Sequence, residues 1–171
     1  AGGRVPRLED VIDAVREHMK LNIELKYYGP DPRLARDVAR ILHEQNFERE
    51  CFVASLEYDS LAEARAANPH LRTAAIVTVA LGDVVGLDVD VLSMRADLVT
   101  RGLLRSAHGR GKQVHVWCVD DRSTAGQLME RGVDNVITND PGTIVPLRNE
   151  RAGLTGPERL LQAFRSYLGL E

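Results

Sequence analysis

The stretch "LNIELK", Leu21–Lys26, decides how the rest of the chain is read. Its side chains alternate as in a β-strand with two unlike faces. Leu21, Ile23 and Leu25 project to one side; Asn22, Glu24 and Lys26 project to the other. A carboxylate, an ammonium and an amide therefore share one face. A central strand of an open sheet covered by helices on both sides should be apolar on both faces. A barrel strand packs one face on the surrounding helices and turns the other inward, toward a site at its carboxyl end. The polar face thus favours a barrel over the doubly wound open sheet that is the other candidate.

The surrounding segments fit that reading. Strand-like runs recur as "CFVASL" (51–56), "TAAIVTVAL" (73–81), "VDVLSM" (89–94), "QVHVWCV" (113–119) and "VDNVIT" (133–138). Between most of them lie amphipathic helical patterns: "DPRLARDVARILHEQ" (31–45), "DSLAEARAANP" (59–69), "ADLVTRGLLRSAHGRG" (96–111) and "DRSTAGQLMERG" (121–132). Strand alternating with helix is the pattern of parallel βαβ units. No glycine-rich loop follows a strand as a dinucleotide fold requires. The expected fold is α/β, of the (β/α)₈ barrel type, with about six of the eight strand–helix units present. The chain opens on a helix, "VPRLEDVIDAVREHMK" (5–20), so the pattern reads as a barrel without its beginning. Residues 1–147 are expected to form this part-barrel. Residues 148–171 are expected to be a linker, "RNERAGLTGP", and an appended helix.

Composition narrows the function. The 171 residues are 44% hydrophobic and 27% charged, as in an ordinary globular domain. A net charge of −3, with basic residues scattered among acids, leaves no footprint for nucleic acid. No apolar run approaches the roughly 18 residues that span a bilayer. No signal peptide is visible. The expectation is a soluble domain of undetermined compartment, touching a membrane only through segments outside this chain. Cys51 and Cys118 sit in apolar strand-like runs and are expected to be buried free thiols. Met19, Met94 and Met129 read as core. Asp59 or Ser60 is the expected cap of the helix after the second strand, and Asp140 that of the helix at Pro141.

Of the chemistry-bearing residues, Glu24 and Lys26 come first. A carboxylate at the mouth of a barrel can ligate a hard divalent cation. An ammonium there can neutralise phosphate or a developing oxyanion. The same pair could instead be a buried ion pair, or the solvated face of an edge strand. On "VHVWCV", His115 and Trp117 share a face. Trp117 can line a pocket or pack on a helix, and His115 reads as a packed histidine.

These segments, in this order, resemble the glycerophosphodiester phosphodiesterase family. "VPRLEDVIDAV" resembles the family's Pro-Thr-Leu-Glu-Glu-Val helix start, and "LNIELK" its Asn-Ile-Glu-Ile-Lys strand. "ASLEYDSLAEARAANPHL" resembles the Ser-Ser-Phe-Asp segment and its helix. "GKQVHVWCVDD" resembles the Val-Trp-Thr-Val-Asn strand, and "GVDNVITNDP" the closing Gly-Val-Asp-Gly-Ile-Ile-Thr-Asp-x-Pro. The tail and "ALGDVVGLDVDVLSM" look most like the branch whose enzymatic domain follows a multi-span membrane region. The resemblance implies hydrolysis of a small-molecule glycerophosphodiester to glycerol 3-phosphate and an alcohol. It implies Ca²⁺ or Mg²⁺ as cofactor, Glu24 as a metal ligand, Lys26 as the phosphate contact and Trp117 as a lining residue.

The departures are informative. The family opens with a His-Arg-Gly turn, a Glu-x-Asp pair and a His-Asp pair, which supply its catalytic histidines and two further metal carboxylates. This chain has none of them. Cys118 stands for the usual Thr, Asp120 for Asn and Leu56 for Phe. The chain alone is therefore expected to be inactive, and either to self-associate through exposed strand edges or to close into a distorted, smaller barrel. The alternative is a non-catalytic, barrel-derived binding or assembly domain.

Overall fold

Among the described residues six β-strands, all parallel, lie side by side in chain order. They are β1 (Leu21–Leu25), β2 (Cys51–Ser55), β3 (Thr73–Val77), β4 (Val91–Arg95), β5 (Gln113–Trp117) and β6 (Asn135–Val136). The helices are α1 (Leu8–Val15), α2 (Leu34–Glu44), α3 (Tyr58–Ala67), α4 (Arg101–Gly109), α5 (Arg122–Arg131) and α6 (Pro141–Ala152). This computed structural model describes residues 3–79, 82–155 and 157–158.

The strand order settles the architecture. Parallel crossovers are right-handed. When every step goes to the next strand on the same side, all helices fall on one face of the sheet. A doubly wound sheet reverses its order and carries helices on both faces; this one never reverses. The sheet is therefore the wall of a (β/α) barrel, with six strands of the eight that close one. The far edges of β1 and β6 have no strand partner among the described residues.

The two faces differ as "LNIELK" leads one to expect. Leu25, Val53, Val77, Leu92, Met94 and Val116 turn outward and pack with Ile12, Leu42, Leu61, Leu104, Leu128 and Ile144 of the helices. The inward face carries a second, smaller cluster: Ala54, Ala74 and Val91, flanked by Phe52 and Ile76. Asp90 and Arg65 clamp the amino ends of β3 and β4. The Asp90 carboxylate accepts from Thr73 N at 2.8 Å and from Arg65 Nη2 at 2.8 Å.

Helix ends follow local chemistry. Asp121 caps α5 by accepting from Thr124 N at 2.7 Å, and Asp140 caps α6 by accepting from Thr143 N at 3.2 Å. Pro141 opens α6, where its absent N–H has no partner to lose. Gly132 ends α5 at φ +93°, a left-handed conformation, with nothing within 4 Å of where a Cβ would stand. The strain of a Cβ there is thus purely backbone. Gly132→Ala should lower stability by about 1–2 kcal/mol, measured as a shift in the denaturation midpoint at unchanged m-value.

Four expectations need correction. Cys51 is buried and its thiol is pushed up to about 12, by burial first and then by Glu48 and Glu50, but Cys118 is exposed. β5 stops at Trp117, so Cys118 belongs to the loop rather than to the packed strand. Met94 is buried, but Met19 is 62% exposed. α1 stops at Val15, and the chain then turns through Glu17 at φ +69°. Neither Asp59 nor Ser60 caps α3. The helix begins earlier, at Tyr58, and Ser60 Oγ donates back to Glu57 O at 2.6 Å. Lastly, α6 continues to Ala152, through the start of the stretch read as linker. The appended helix expected over 156–169 lies mostly outside the described residues.

Candidate active site

The carboxyl ends of the strands form one rim, the end at which barrels hold their chemistry. Glu24 stands on the inward face of β1, in register with Ala54 of β2. Alanine leaves the flank of the carboxylate open. Lys26 is the first residue beyond β1, and its Nζ lies 4.0 Å from Glu24 Oε1. The Lys26 side chain is 59% exposed and that of Glu24 44%, so the pair is not the buried ion pair that the sequence left open. Solvated pairs of this kind stabilise a fold by about 0–1 kcal/mol at most. The other reading the sequence left open, the solvated face of an edge strand, matches the place of β1 at the end of the sheet. Beneath them the buried Ser55 hydroxyl donates to Leu25 O at 3.2 Å and accepts from Glu57 N at 3.0 Å. It ties the ends of β1 and β2 together just where Lys26 leaves the sheet.

Trp117 ends β5 on the same inward face, in register with Arg95 of β4. Three strands lie between β1 and β5. At about 4.8 Å per strand the path along the sheet is about 19 Å. The structure thus puts Glu24 and Lys26 on one wall of the rim and Trp117 on another. Trp117 Nε1 is buried without a hydrogen-bond partner among the described residues. Arg95 is bound to Asp97 through two contacts, at 3.1 and 2.6 Å.

His115 lies one step deeper on β5. It is 5% exposed, its Nδ1 has no partner among the described residues, and its ring stands edge-on to Phe52 at 5.1 Å. Burial, aided by Arg72 and opposed by Asp134, pushes its pKa down to about 4. The imidazole is therefore neutral at pH 7, a packed histidine as the sequence suggests and not an acid–base group poised near neutrality. The unfolded chain binds this proton near pH 6.5, the folded chain near 4. The contribution is thus complete above about pH 6.5 and is lost as pH falls toward 4. His115→Phe should flatten the fall in Tm over that window. A Tm profile identical to that of the unaltered protein would disprove the shift.

A divalent cation wants six or more oxygen ligands, several of them carboxylates. Among the described residues no group of three or more His, Cys, Asp or Glu is placed to hold one. On the inward face of β1 and β2 only Glu24 offers a carboxylate, with Asn22, Phe52 and Ala54 around it. The chain's own residues therefore fit a cation as one ligand, not as a complete site.

Sequence reasoning missed the rim's other polar knot. Asp120, in the turn after β5, accepts from Thr138 Oγ1 at 2.9 Å and from Asn139 N at 2.7 Å, both after β6. Its second oxygen accepts from Asn139 Nδ2 at 3.0 Å. The polar strings "VDD" and "TND", and Asp120 in the place of the usual Asn, were the signals, and nothing in them says that they meet.

The model of the glycerophosphoryl diester phosphodiesterase family matches residues 1–143. A glycerophosphodiester phosphodiesterase of Caldanaerobacter subterraneus subsp. tengcongensis is 26% identical over 157 residues, 86% of this chain and 63% of that protein. The chain thus spans under two thirds of the length of that relative. Among solved structures, a glycerophosphodiester phosphodiesterase from Parabacteroides distasonis superposes with a TM-score of 0.73 at 20% identity, over 86% of this chain and 65% of that one. An Oleispira antarctica phosphodiesterase, in complex with the product sn-glycerol-3-phosphate, superposes with a TM-score of 0.71 at 21% identity. That superposition covers 84% of this chain and 61% of the Oleispira one. At such identities the superpositions speak for the fold alone.

Proposed function

The chain belongs to the glycerophosphoryl diester phosphodiesterase family, and from that premise we propose that its complete protein hydrolyses glycerophosphodiesters to glycerol 3-phosphate and an alcohol. One observation carries the reading to particular residues. Glu24 and Lys26 stand together, solvated, on the inward face at the carboxyl end of a barrel strand, where structural pairing gains little. In this reading water attacks phosphorus, the P–O bond to the alcohol breaks, and the alcohol leaves with a proton. Lys26 holds the phosphoryl oxygens and offsets the charge that grows on them. Glu24 contributes one carboxylate to a Ca²⁺ or Mg²⁺ site whose other donors come from outside the described residues. A cation held there would supply Lewis-acid polarisation of the phosphate. Trp117 lines the opposite wall against the alcohol or glycerol part.

Among the described residues the inward face offers one metal carboxylate, Glu24, and, in His115, a neutral buried imidazole. The 171-residue chain by itself is inactive in this reading. Its two strand edges have no strand partner among the described residues; pairing through them with another chain is tested by its mass in solution. Membrane attachment, where the complete protein has it, comes from other segments. The test of function is release of glycerol 3-phosphate from glycerophosphodiesters by the complete protein, with and without chelator. Release that stops on chelation supports the proposal. A protein that binds these diesters without cleaving them would instead be the non-catalytic domain.

A further inference from the structure

The geometry points to Asp120 as a positioning residue: its carboxylate latches the turn after β6 to the turn after β5 and so fixes the rim that Trp117 ends on. This rests on the hydrolase reading above for what the rim is for, but the latch itself stands on contacts. One carboxylate gathers three donors from two successive residues: Thr138 Oγ1 at 2.9 Å, Asn139 N at 2.7 Å and Asn139 Nδ2 at 3.0 Å. The contacts continue on both sides. Val119 N donates to Ile137 O at 3.0 Å, extending the pairing of β5 and β6 past their last strand residues. Thr138 Oγ1 in turn accepts from Asp140 N at 3.0 Å, and Asp140 caps α6. Asp120 therefore joins the exit of β5, three residues past Trp117, to the first turn of α6.

Charge explains why a carboxylate suits this place. The donors hold the Asp120 carboxyl below the usual carboxylate range, Asn139 contributing most and Thr138 next. The other charged side chains of these turns are engaged elsewhere. Asp121 accepts from Thr124 N, Asp140 from Thr143, and Arg122 pairs with Glu150 across α5 and α6. Asp120 is thus bound by neutral donors, in a patch already carrying two other carboxylates. Such a latch needs an acceptor oxygen facing an amide donor. Two facing carboxylates offer no donor and repel, which raises the pKa of one of them, and they titrate as a pair.

A four-protein cycle tests it: the unaltered complete protein, D120N, N139D and D120N/N139D. Rates on a glycerophosphodiester are followed from pH 5 to pH 8, and proton exchange at the residue-139 amide is followed by NMR. D120N keeps an oxygen acceptor, so kcat/KM should stay within about threefold. N139D should lose about tenfold or more at pH 8 and recover it toward pH 5, as the paired carboxylates share a proton. The double exchange should restore the pH 8 rate, because carboxylate and amide face each other again. A change that merely weakened the fold would show neither acid recovery nor rescue by the second substitution. N139D tracking the unaltered protein across pH, or a double variant slower than N139D, overturns the latch. Should the unaltered protein cleave none of the diesters, the hydrolase reading falls and the amide decides. Exchange about tenfold faster in N139D than in the double variant at pH 8 upholds the latch; equal exchange rates overturn it.

Discussion

Lys26→Met is expected to lower kcat of the complete protein by about 10²–10³, the usual cost of losing one placed charge or donor from a transition-state site. Methionine keeps most of the unbranched stem and removes only the ammonium. The Lys26 side chain is 59% exposed, and its contact with Glu24 is long, at 4.0 Å. Removing it should therefore leave stability within about 1 kcal/mol of the original. A large kinetic loss on an unchanged denaturation midpoint is the expected signature. If KM rises while kcat holds, Lys26 binds ground state and transition state alike, and its assigned role is wrong.

The second large effect belongs to Glu24→Gln. Glutamine fills the same space beside Ala54 and keeps one oxygen, but it carries no charge. Disturbing a residue behind a metal ligand already weakens binding or activity by about 10–100-fold. A direct carboxylate ligand should cost at least the upper part of that range, read as the concentration of Ca²⁺ or Mg²⁺ giving half-maximal rate. Excess metal should recover part of the rate, which distinguishes lost affinity from lost chemistry. An unchanged metal titration removes Glu24 from the site and returns it to being one end of a surface pair.

Much of this was legible in one strand. Leu21–Leu25 alternates strictly, and charged residues on one face cannot lie between two helical layers. Strand–helix alternation is shared with the doubly wound sheet, and it is the structure that shows the strand order running without a reversal. Where the sequence misled, composition ran past structure. "TAAIVTVAL" reads as a nine-residue strand, yet the ladder ends at Val77 and Val79 is 59% exposed. The same overrun put Cys118 in the core. Caps were legible where a side chain meets its own helix, as at Asp140, and misread at α3. There a hydroxyl from the preceding strand, Ser55, takes the Glu57 amide.

The candidate site was legible only in part, for a related reason. Glu24 and Lys26 announce themselves by spacing two apart on one strand. The Asp120 latch joins residues 18 and 19 positions apart, across a helix, and no local pattern encodes that meeting. Likewise the neutrality of His115 comes from burial, with Arg72 adding to it against Asp134, and not from its neighbours in the chain.

The central claim is that the Glu24–Lys26 face is one half of a phosphodiester site. Phosphorus NMR of a glycerophosphodiester tests it most directly. The diester is incubated with Ca²⁺ or Mg²⁺ and either the complete protein or the 171-residue chain. The predicted result is a glycerol 3-phosphate signal with the complete protein only, abolished by Glu24→Gln at low metal. Equal turnover by the 171-residue chain, or full turnover by the Glu24→Gln protein at low metal, would contradict it.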